Sequence, residues 1–472
     1  MPTRLIVLAA GKGTRMKSAL PKVVHRLAGR SLLGHVLETG AALAPAGISV
    51  VVGHGAEAVR ETVERELAAR PADATPPPPL DWVEQAEQLG TGHAVRVALP
   101  TADGEDTVLV TYGDVPLIRT ATLARLIEAT EGGEALALLT VHMNDATGYG
   151  RIVRDEAGEV VRIVEQKDAS EAERAIGEAN AGVIAGRASR LAGLLERVGR
   201  DNAQGEYYLT DVFGLAADDG VPVRTVHPEA AHEVAGVNDR VQLAALERVH
   251  QREVAESLMV AGATLADPAR IDVRGTLEVG TDVEIDVNCT FEGRCRVGDG
   301  ARIGPNCTLV DATVAPGARV HASSVIEGAR VGEGAEVGPF ARLRPGTALG
   351  ANAKVGNFVE TKNASVGPGS KINHLSYVGD AELGENVNVG AGTITCNYDG
   401  ANKHLTRIGD GAFIGSNSAL VAPIDVEPGA TVGAGSTLGR RVEAGSLTFT
   451  RAPVTVRGNW RRPSKPSKPS GG

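Results

Sequence analysis

The chain has 472 residues, more than one hydrophobic core usually serves, so we expect two or three structural units. Aromatic residues make up only 3% of the chain while glycine occurs 59 times, which favours a repetitive architecture packed from small aliphatic side chains. The formal net charge of -10 argues against nucleic acid as a general partner. The first residues lack the apolar core of a signal peptide, and the sequence has no run of about 18 apolar residues, so we expect a cytoplasmic protein without a membrane partner.

Residues 5 to about 235 alternate short β-branched runs with helical segments, which predicts an α/β layered sheet. The expected strands are Leu5–Ala9, Ile48–Val52, Thr107–Thr111 and Leu136–Val141. The prolines at Pro76–Pro79 predict an exposed loop before a strand at Trp82.

A segment without glycine follows, Asn238–Met259, and its apolar residues recur at helical spacing. These residues are Val241, Leu243, Leu246, Val249, Val254 and Leu258. The segment predicts one long helix that links two domains.

Beyond Asp267 the sequence repeats every six residues, with an aliphatic residue often followed by glycine. The aliphatic positions include Val331, Val337, Leu343, Leu349 and Val355, and later Ile408, Ile414, Leu420, Val426, Val432 and Leu438. This period is typical of a parallel β-helix whose aliphatic side chains stack inside. Cys295 and Cys307 fall at small-residue positions of the repeat, so we expect buried thiols and no disulfide or zinc site.

The repeat loses its phase between Thr395 and Arg407, so this segment must loop out of the coil, and such loops commonly carry function. The last segment, Arg461–Gly472, is rich in Pro, Ser and Lys and lacks the apolar residues that offset ordering entropy. We expect this tail to be disordered.

A glycine-rich turn, Leu8-Ala9-Ala10-Gly11-Lys12-Gly13-Thr14-Arg15-Met16, directly follows the first predicted strand. Gly11 and Gly13 permit positive φ and a close approach of backbone N–H groups to phosphate, although the turn matches neither a Walker A loop nor a full dinucleotide turn. Taken alone it is more often only a tight connection. Lys22 downstream and Asp114 at the end of a β run change that balance, because a carboxylate beside a phosphate loop is a natural Mg²⁺ ligand. In isolation, Asp114 would be a solvated turn residue.

A second group of polar residues lies within the repeats around the ejected loop: Arg344, Glu360, Lys362, His374, Tyr377, Asn388, Asn397 and Tyr398. Any one of them is more often an inert surface residue, but their concentration favours a site. Histidine, with an unperturbed pKa of about 6.5, suits a general base near neutral pH. His374 is the candidate.

The turn Leu-x-x-Gly-x-Gly-Thr-Arg-Met with its downstream Pro-Lys resembles sugar-1-phosphate nucleotidyltransferases. The segments Gln85–His93 and Tyr112–Leu117 narrow the resemblance to the bifunctional N-acetylglucosamine-1-phosphate uridyltransferase / glucosamine-1-phosphate N-acetyltransferase family. It covers essentially the whole chain except the proline insert and the tail. It implies a Rossmann-like α/β nucleotidyltransferase domain followed by a left-handed parallel β-helix of hexapeptide repeats. The implied boundaries are 1–236 for the uridyltransferase domain, 237–260 for the linking helix, 261–453 for the acetyltransferase domain and 454–472 for the tail.

The resemblance implies that the first domain transfers a uridylyl group from UTP to N-acetylglucosamine-1-phosphate and releases pyrophosphate. Asp114 and Asn238 would hold Mg²⁺, a role for Asn238 that periodicity could not reveal. The implied UDP-N-acetylglucosamine contacts are Leu8, Ala9, Ala10, Gly11, Arg15, Lys22, Gln85, Gly90, Thr91, Tyr112, Gly113, Asp114, Gly150, Glu165, Asn180 and Asn238. The chain departs from the family pattern after the sugar-binding Asn180: the family has Thr at the next position, whereas this chain has Ala181. This departure bears on the local sugar contacts.

For the second domain, the resemblance implies acetyl transfer from acetyl-CoA to glucosamine-1-phosphate, with His374 as general base and Glu360 helping to orient it. Arg344, Lys362, Tyr377 and Asn388 would bind the sugar phosphate. The implied acetyl-CoA contacts are Ala391, Asn397, Tyr398, Ser416, Ala434 and Arg451. The family is a homotrimer whose acetyltransferase sites lie between neighbouring subunits.

Two other interpretations remain open from the residues alone. In one, the repeats are only an oligomerisation or regulatory scaffold on a nucleotidyltransferase, which the intact His374, Tyr377 and Asn388 group argues against. In the other, the chain is a structural repeat protein with a decayed first domain, which the retained Gly11 and Asp114 argue against.

Overall fold

The computed structural model describes residues 2–70 and 77–463. Contacts divide the chain into two compact units, Met1–Ser257 with Ile271–Gly275, and Leu258–Arg270 with Thr276–Gly472. Pro76 and the tail beyond residue 463 lie outside the described residues, so the loop prediction at Pro76 and the disorder predicted for most of the tail stay predictions.

The first unit is built on one sheet whose strands follow the order β11-β7-β10-β6-β1-β4-β5. Pairing along this order is parallel except at β10, which runs antiparallel to both neighbours. The strands are β1 Thr3–Leu8, β2 Arg26–Leu27, β3 Arg30–Ser31, β4 Gly47–Val52, β5 Leu80–Glu84, β6 Thr107–Tyr112, β7 Leu136–His142, β8 Arg151–Arg154, β9 Val160–Val164, β10 Glu178–Arg187 and β11 Val223–Val226. The strands predicted from β-branched runs are confirmed, with ends that differ by one or two residues.

Helices cover both faces of this sheet, because alternate residues of each buried strand point to opposite sides. Leu5 and Val7 of β1 belong to one apolar cluster, whereas Ile6 and Leu8 belong to the other. The helices are α1 Leu32–Ala41, α2 Ala56–Ala68, α3 Thr91–Ala98, α4 Thr120–Glu128, α5 Glu171–Arg174, α6 Ala188–Arg197, α7 Asp211–Asp218 and α8 Arg240–Val260. The unit is therefore a three-layer, Rossmann-like α/β domain, as predicted.

The long helix α8 begins at Arg240 because the side chain of Asp239 caps it, accepting the backbone N–H of Gln242 at 2.9 Å. Its buried Gln251 side chain exchanges two hydrogen bonds with the backbone of Val273, at 2.9 and 2.7 Å. The helix predicted at this place is confirmed, although Val241 is 79% exposed rather than part of an apolar face. Among the residues that the structure describes, neither this helix nor any other is long and apolar enough to cross a membrane.

After the helix the chain forms short strands that pair in parallel. Successive partners in one ladder, from Glu284 through Arg302 and Arg319 to Asn388, lie 17 or 18 residues apart in sequence, which is three hexapeptides or one residue fewer. These strands are β12 Thr264–Leu265, β13 Ile271–Val279, β14 Glu284–Ile285, β15 Cys289–Val297, β16 Arg302–Ile303, β17 Thr308–Val310, β18 Thr313–Val314, β19 Arg319–Val320, β20 Val325–Glu327, β21 Arg330–Val331, β22 Glu336–Val337, β23 Arg342–Leu343, β24 Ala348–Leu349, β25 Lys354–Asn357, β26 Glu360–Val366, β27 Lys371–His374, β28 Tyr377–Leu383, β29 Asn388–Val389, β30 Ile394–Cys396, β31 Thr406–Ile408, β32 Phe413–Ile414, β33 Ala419–Val421, β34 Ile424–Val426, β35 Thr431–Val432, β36 Thr437–Leu438 and β37 Leu447–Thr448.

The aliphatic positions of the six-residue repeat form the core of this second unit. Every one of the positions from Val331 to Val355 and from Ile408 to Leu438 named above is buried. Cys295 and Cys307 are also fully buried, and burial raises the pKa of both thiols. The predicted interior of stacked small aliphatic side chains is confirmed.

The predicted break in the repeat is visible as a longer step in the ladder. The partner of Asn388 is Phe413, 25 residues further on, in place of the usual 17 or 18. Thr395 and Thr406 still lie in strands, so the excursion is narrower than predicted and covers residues 397–405. An antiparallel bridge between Tyr398 and Lys403 closes it into a compact loop.

Candidate functional site

The first candidate site is a cavity of about 650 Å³ at the carboxyl ends of β1 and β6. The two strands are adjacent and parallel, with Leu8 paired to Tyr112, so the turns that follow them share one edge of the sheet. The lining residues are Leu8, Ala9, Ala10, Gly11, Lys12, Lys22, Val23, Gln85, Gln88, Gly90, Thr91, Ala94, Tyr112, Asp114, Glu206 and Asn238. The structure thus brings together most of the residues expected to bind the nucleotide, although the segments that hold them are far apart in sequence.

A cluster of charged and amide groups lies at one end of this cavity. The Nζ of Lys22 donates to the carboxylate of Asp114 and also lies 3.4 Å from Oδ1 of Asn238. Arg15, which is outside the lining, reaches the same Asn238 oxygen with Nη2 at 2.8 Å. The backbone N–H of Val237 donates to the carbonyl of Asp114 at 2.9 Å and so fixes the Asn238 loop beside the turn after β6.

The glycines of the turn after β1 serve different purposes. Gly13 has φ of +59°, and a Cβ there would lie 2.5 Å from Cβ of Lys22, so only glycine allows this approach. Gly11 also permits positive φ but is not in the left-handed region, so of the two only Gly13 uses that freedom. A Cβ at Gly11 would meet no atom within 4 Å, which leaves space above its backbone.

Amide groups also line the cavity. The buried Gln85 side chain donates to the carbonyl of Gly90 at 3.0 Å, and Gln88 donates to the carbonyl of Ala10 at 3.0 Å. Gly90 has φ of +109° just before α3, and a Cβ there would lie 2.6 Å from the carbonyl oxygen of Tyr207. This region therefore offers amide donors and acceptors held by hydrogen bonds, as recognition of a base edge requires.

The expected sugar contacts form a third group beside the cavity. The N–H of Asn180 donates to the carbonyl of Gly150 at 2.8 Å, and a Cβ on Gly150 would lie 3.5 Å from Oε1 of Glu165. Burial raises the pKa of Glu165, although a hydrogen bond from Thr210 at 3.1 Å opposes the shift. Burial, followed by the charges of Glu165 and Asp114, raises the pKa of Tyr112, so this phenol stays protonated.

The second candidate site lies on the second unit, along a row of turns in successive coils. The N–H of Gly392 donates to the carbonyl of His374 at 3.3 Å. In the next turns, the N–H of Asn417 donates to the carbonyl of Ala391 and the N–H of Gly435 donates to the carbonyl of Ser416, each at 2.7 Å. The guanidinium of Arg451 donates to the carbonyl of Ala434. His374 and four of the six expected acetyl-CoA contacts therefore follow one continuous edge.

His374 is exposed at one end of this row, and its ring is held by a neighbour. Its Nδ1–H donates to Oδ1 of Asn357 at 2.5 Å, across the parallel pairing of β25 with β27. Glu360, expected to orient His374, instead accepts from Nη1 of Arg344 at 2.8 Å. Since the donated proton is on Nδ1, the lone pair of Nε2 is left free to accept a proton.

The excursion at residues 397–405 adds charged and amide groups to this unit. Lys362 lies next to Lys403 of the excursion, and a hydrogen bond with Lys403, followed by the charge of Lys403, lowers the pKa of Lys362. Asn397, at the start of the excursion, donates to the carboxylate of Asp380, which also accepts from Asn363 at 2.7 Å. Burial raises the pKa of Asp380, but these two hydrogen bonds, together with the charges of Lys403 and Lys362, outweigh it and the net shift is downward. An ionised Asp380 therefore anchors the loop that carries Lys403.

The remaining expected residues of this site lie on neighbouring strands. Tyr377 begins β28 and pairs with Glu360 of β26, whereas Asn388 begins β29 and pairs with Lys371. Tyr398 is 61% exposed, and its hydroxyl donates to the carbonyl of Gly400 at 2.6 Å.

Comparison with known proteins gives one consistent result. The family model described as "MobA-like NTP transferase domain" matches residues 5–201, and the model described as "GMPPB C-terminal domain" matches residues 273–381. Proteins described as "Bifunctional protein GlmU" from Marinobacter nauticus, Azotobacter vinelandii and Stutzerimonas stutzeri are 55%, 57% and 56% identical over 464, 468 and 465 residues. The alignments cover 98%, 99% and 98% of this chain and 99%, 100% and 100% of the relatives. The chain belongs to the GlmU family.

Membership of the GlmU family makes the chain a bifunctional transferase of UDP-N-acetylglucosamine synthesis, with uridyltransferase and acetyltransferase activities. This excludes the two interpretations in which one or both activities were absent. A solved structure, "The Crystal Structure of UDP-glucose pyrophosphorylase complexed with UDP-glucose", aligns with 54% of this chain and all of its own at 14% identity and a TM-score of 0.42.

Several residues of these two GlmU sites were not singled out in the sequence. Gln88 stands inside the motif Gln85–His93, but only the fold shows its bond to Ala10. Asn357 precedes His374 by 17 residues, the spacing of neighbouring coils, so the repeat itself held the signal. Lys403 and Asp380 carry no motif, because their roles come from the shape of the excursion.

Proposed function

We propose that the first unit performs uridylyl transfer in the cavity at the carboxyl ends of β1 and β6. The observation that supports this most directly is the convergence of Lys22, Arg15, Asp114 and Asn238 at one end of that cavity. The turn Ala10–Gly13 would cradle the phosphates of UTP with backbone N–H groups, and the two cations would neutralise their charge. The amides at Gln85 and Gln88 would face the uracil, and Gly150, Glu165 and Asn180 would contact the sugar.

Asp114 and Asn238 fit a divalent cation, and we propose Mg²⁺. Both present oxygen atoms, which hard cations prefer, and both oxygens face the cationic groups of Lys22 and Arg15 in one small region. When bound, the ion supplies charge neutralisation for the phosphates. The protein's own part is positioning: it aligns the phosphate oxygen of N-acetylglucosamine-1-phosphate with the α-phosphorus of UTP so that pyrophosphate leaves in line.

The second unit, as a proposal of the same kind, is a left-handed β-helix that acetylates glucosamine-1-phosphate along the row from His374 to Arg451. Nε2 of His374 takes the proton from the sugar amine as the amine attacks the thioester carbonyl of acetyl-CoA. The C–S bond of the thioester then breaks, CoA leaves as its thiolate, and the acetyl group stays on the sugar nitrogen as an amide. Asn357 keeps the required tautomer. Arg344 and Lys362 face the sugar phosphate, and Tyr377 and Asn388 complete that pocket.

The exposed row and the exposed His374 fit a site that a second subunit completes, so we propose a homotrimer as the active assembly. Sedimentation of the purified chain would measure this state. A monomer with full acetyl transfer would contradict it.

The test is a paired assay. Acetyl-CoA with glucosamine-1-phosphate should release CoA, and UTP with N-acetylglucosamine-1-phosphate and Mg²⁺ should release pyrophosphate. Asp114→Ala should lose only the second signal and His374→Ala only the first. If each variant lost both signals, the substitutions would be reporting misfolding, and if Asp114→Ala kept its pyrophosphate release, the assignment of the first site would fail.

A further inference from the structure

Three strand ends in the first unit bring two histidines and a glutamate together. His142 is the last residue of β7, Glu178 is the first residue of β10, and His227 directly follows β11. The strand β7 lies between the other two in the sheet, and His142 pairs with Glu178 across it. The grouping therefore follows from strand register, and the mechanism proposed above uses none of the three side chains.

The geometry of the group suits a single ion. One nitrogen from each histidine and one carboxylate oxygen all lie within 4.8 Å of one another, and within residues 2–70 and 77–463 no other set of His, Cys, Asp and Glu is so arranged. The imidazole rings of His142 and His227 stack with their centroids 5.2 Å apart and their planes at 30°.

The contacts around the group also resemble those that orient metal ligands. Nδ1–H of His227 donates to the carbonyl of Thr140 at 3.1 Å, so Nε2 keeps its lone pair. Glu178 is buried, and Arg154 donates to both of its carboxylate oxygens, at 2.8 and 2.7 Å. Thr140 also donates to this carboxylate, whose two oxygens still offer more acceptor positions than these three donors occupy.

We propose that His142, Glu178 and His227 bind one divalent transition-metal ion, with Zn²⁺ as the ion whose preferences match best. Two imidazoles and one carboxylate form a common zinc donor set that leaves a fourth position for water. Mg²⁺ prefers oxygen ligands alone and is not expected here. This site is separate from Asp114 and Asn238, so the proposal does not depend on the uridyltransferase assignment.

The experiment titrates Zn²⁺ into the EDTA-treated full chain in competition with a chromophoric chelator. Co²⁺ in place of Zn²⁺ then reports the coordination through its visible absorption. We expect one bound equivalent in the wild type and a loss of affinity of at least tenfold in His142→Ala and in His227→Ala. The matched control is His321→Ala, at a half-buried histidine of the second unit, and Asp114→Ala tests for the proposed Mg²⁺ site. Both should bind Zn²⁺ as the wild type does.

Folding of the variants is checked by uridylyl transfer with Mg²⁺, which His142→Ala should retain because His142 takes no part in that site. His142→Gln, which keeps a side chain of similar length, provides a second substitution. Loss of the zinc equivalent and of the Co²⁺ absorption in both His142 variants, with uridylyl transfer intact, supports the proposal. Zn²⁺ affinity equal to the wild type in either folded His142 variant overturns it, and so does a loss of Zn²⁺ binding in His321→Ala.

Discussion

Asn357 and His374 form a hydrogen-bonded pair that we expect to set the rate of acetyl transfer. Without Asn357 the imidazole can take either tautomer and turn away. Because a general base contributes roughly 10²–10⁴-fold, Asn357→Ala should lower kcat for CoA release by about 10- to 100-fold, a smaller loss than that of His374→Ala. Asn357→Asp should restore most of the rate and shift the acidic limb of the pH profile upward, since a carboxylate stabilises the imidazolium. Unchanged kcat in Asn357→Ala would contradict this positioning role.

Burial makes the ionised form of the Glu165 side chain unfavourable in the folded protein. Its folded pKa is raised by burial above the ordinary 4.5, so its favourable contribution to stability is present below that pH and is lost as pH rises through the folded pKa. Glu165→Gln should therefore unfold in urea at an equal or higher concentration at pH 7, with a flatter pH dependence above 4.5. Thr210 can still donate to the amide oxygen.

The same substitution should lower uridylyl transfer, because a hydrogen bond to a charged group contributes roughly 1.5–3 kcal/mol, or about 10- to 100-fold in kcat/KM. Glu64→Gln, exposed on α2, is the control for both measurements. Lower stability of Glu165→Gln at pH 7 together with full activity would argue against this assignment.

The role of an individual residue was predictable from the sequence where the residue belongs to a motif. It was not predictable where the role arises only from contacts made in the folded chain. Lys22 and Asp114 were predicted as site residues because each stands in a recognisable motif, and the structure places them in contact. The sequence indicated that Gly11 and Gly13 both permit positive φ, but it could not show that of the two only Gly13 adopts it. Asn357 is an ordinary asparagine until the 17-residue register places it beside His374.

The strand β27 shows how an element of the second unit supports chemistry. Ile372 is fully buried between neighbouring coils, while His374 two residues later ends the strand at the surface. Ile372→Ala leaves a cavity that should cost about 2–5 kcal/mol, and Ile372→Val about 0.5–1.5 kcal/mol. Denaturant unfolding followed together with both activities checks this. We expect acetyl transfer to be lost at lower denaturant in Ile372→Ala, whereas uridylyl transfer keeps its wild-type midpoint. Equal shifts of the two activities would mean that the units do not unfold separately.

Among the elements, the six-residue repeat was the most predictable, because the aliphatic residues that recur every six positions are the ones that become buried. Val331 to Val355 are buried as expected, and the break in phase lies where the ladder step lengthens. The bounds of the excursion were less predictable, since Thr395 and Thr406 remain in strands through backbone pairing that their side chains do not reveal. The face of α8 was also uncertain, because Val241 is apolar and yet exposed.

At the scale of the whole molecule, the change from alternating strands and helices to hexapeptides near residue 260 predicted two kinds of architecture. The structure divides the chain close to that point, at Ser257 and Leu258. Assembly could not be derived in the same way. A single chain shows which side chains are exposed, whereas a subunit contact depends on surfaces whose complementarity no repeat or motif encodes.

Each unit contains its own core and its own candidate site, so the two reactions should be separable and then recombinable. The product of acetyl transfer is a small molecule that can leave one protein and enter another. Asp114→Ala and His374→Ala, mixed in equal amounts with glucosamine-1-phosphate, acetyl-CoA, UTP and Mg²⁺, should therefore make UDP-N-acetylglucosamine after a lag, whereas neither should do so alone. Chromatography of the nucleotide sugar measures this. If the mixture made no product while each variant kept its remaining partial reaction, the intermediate would have to pass between sites of one assembly without release.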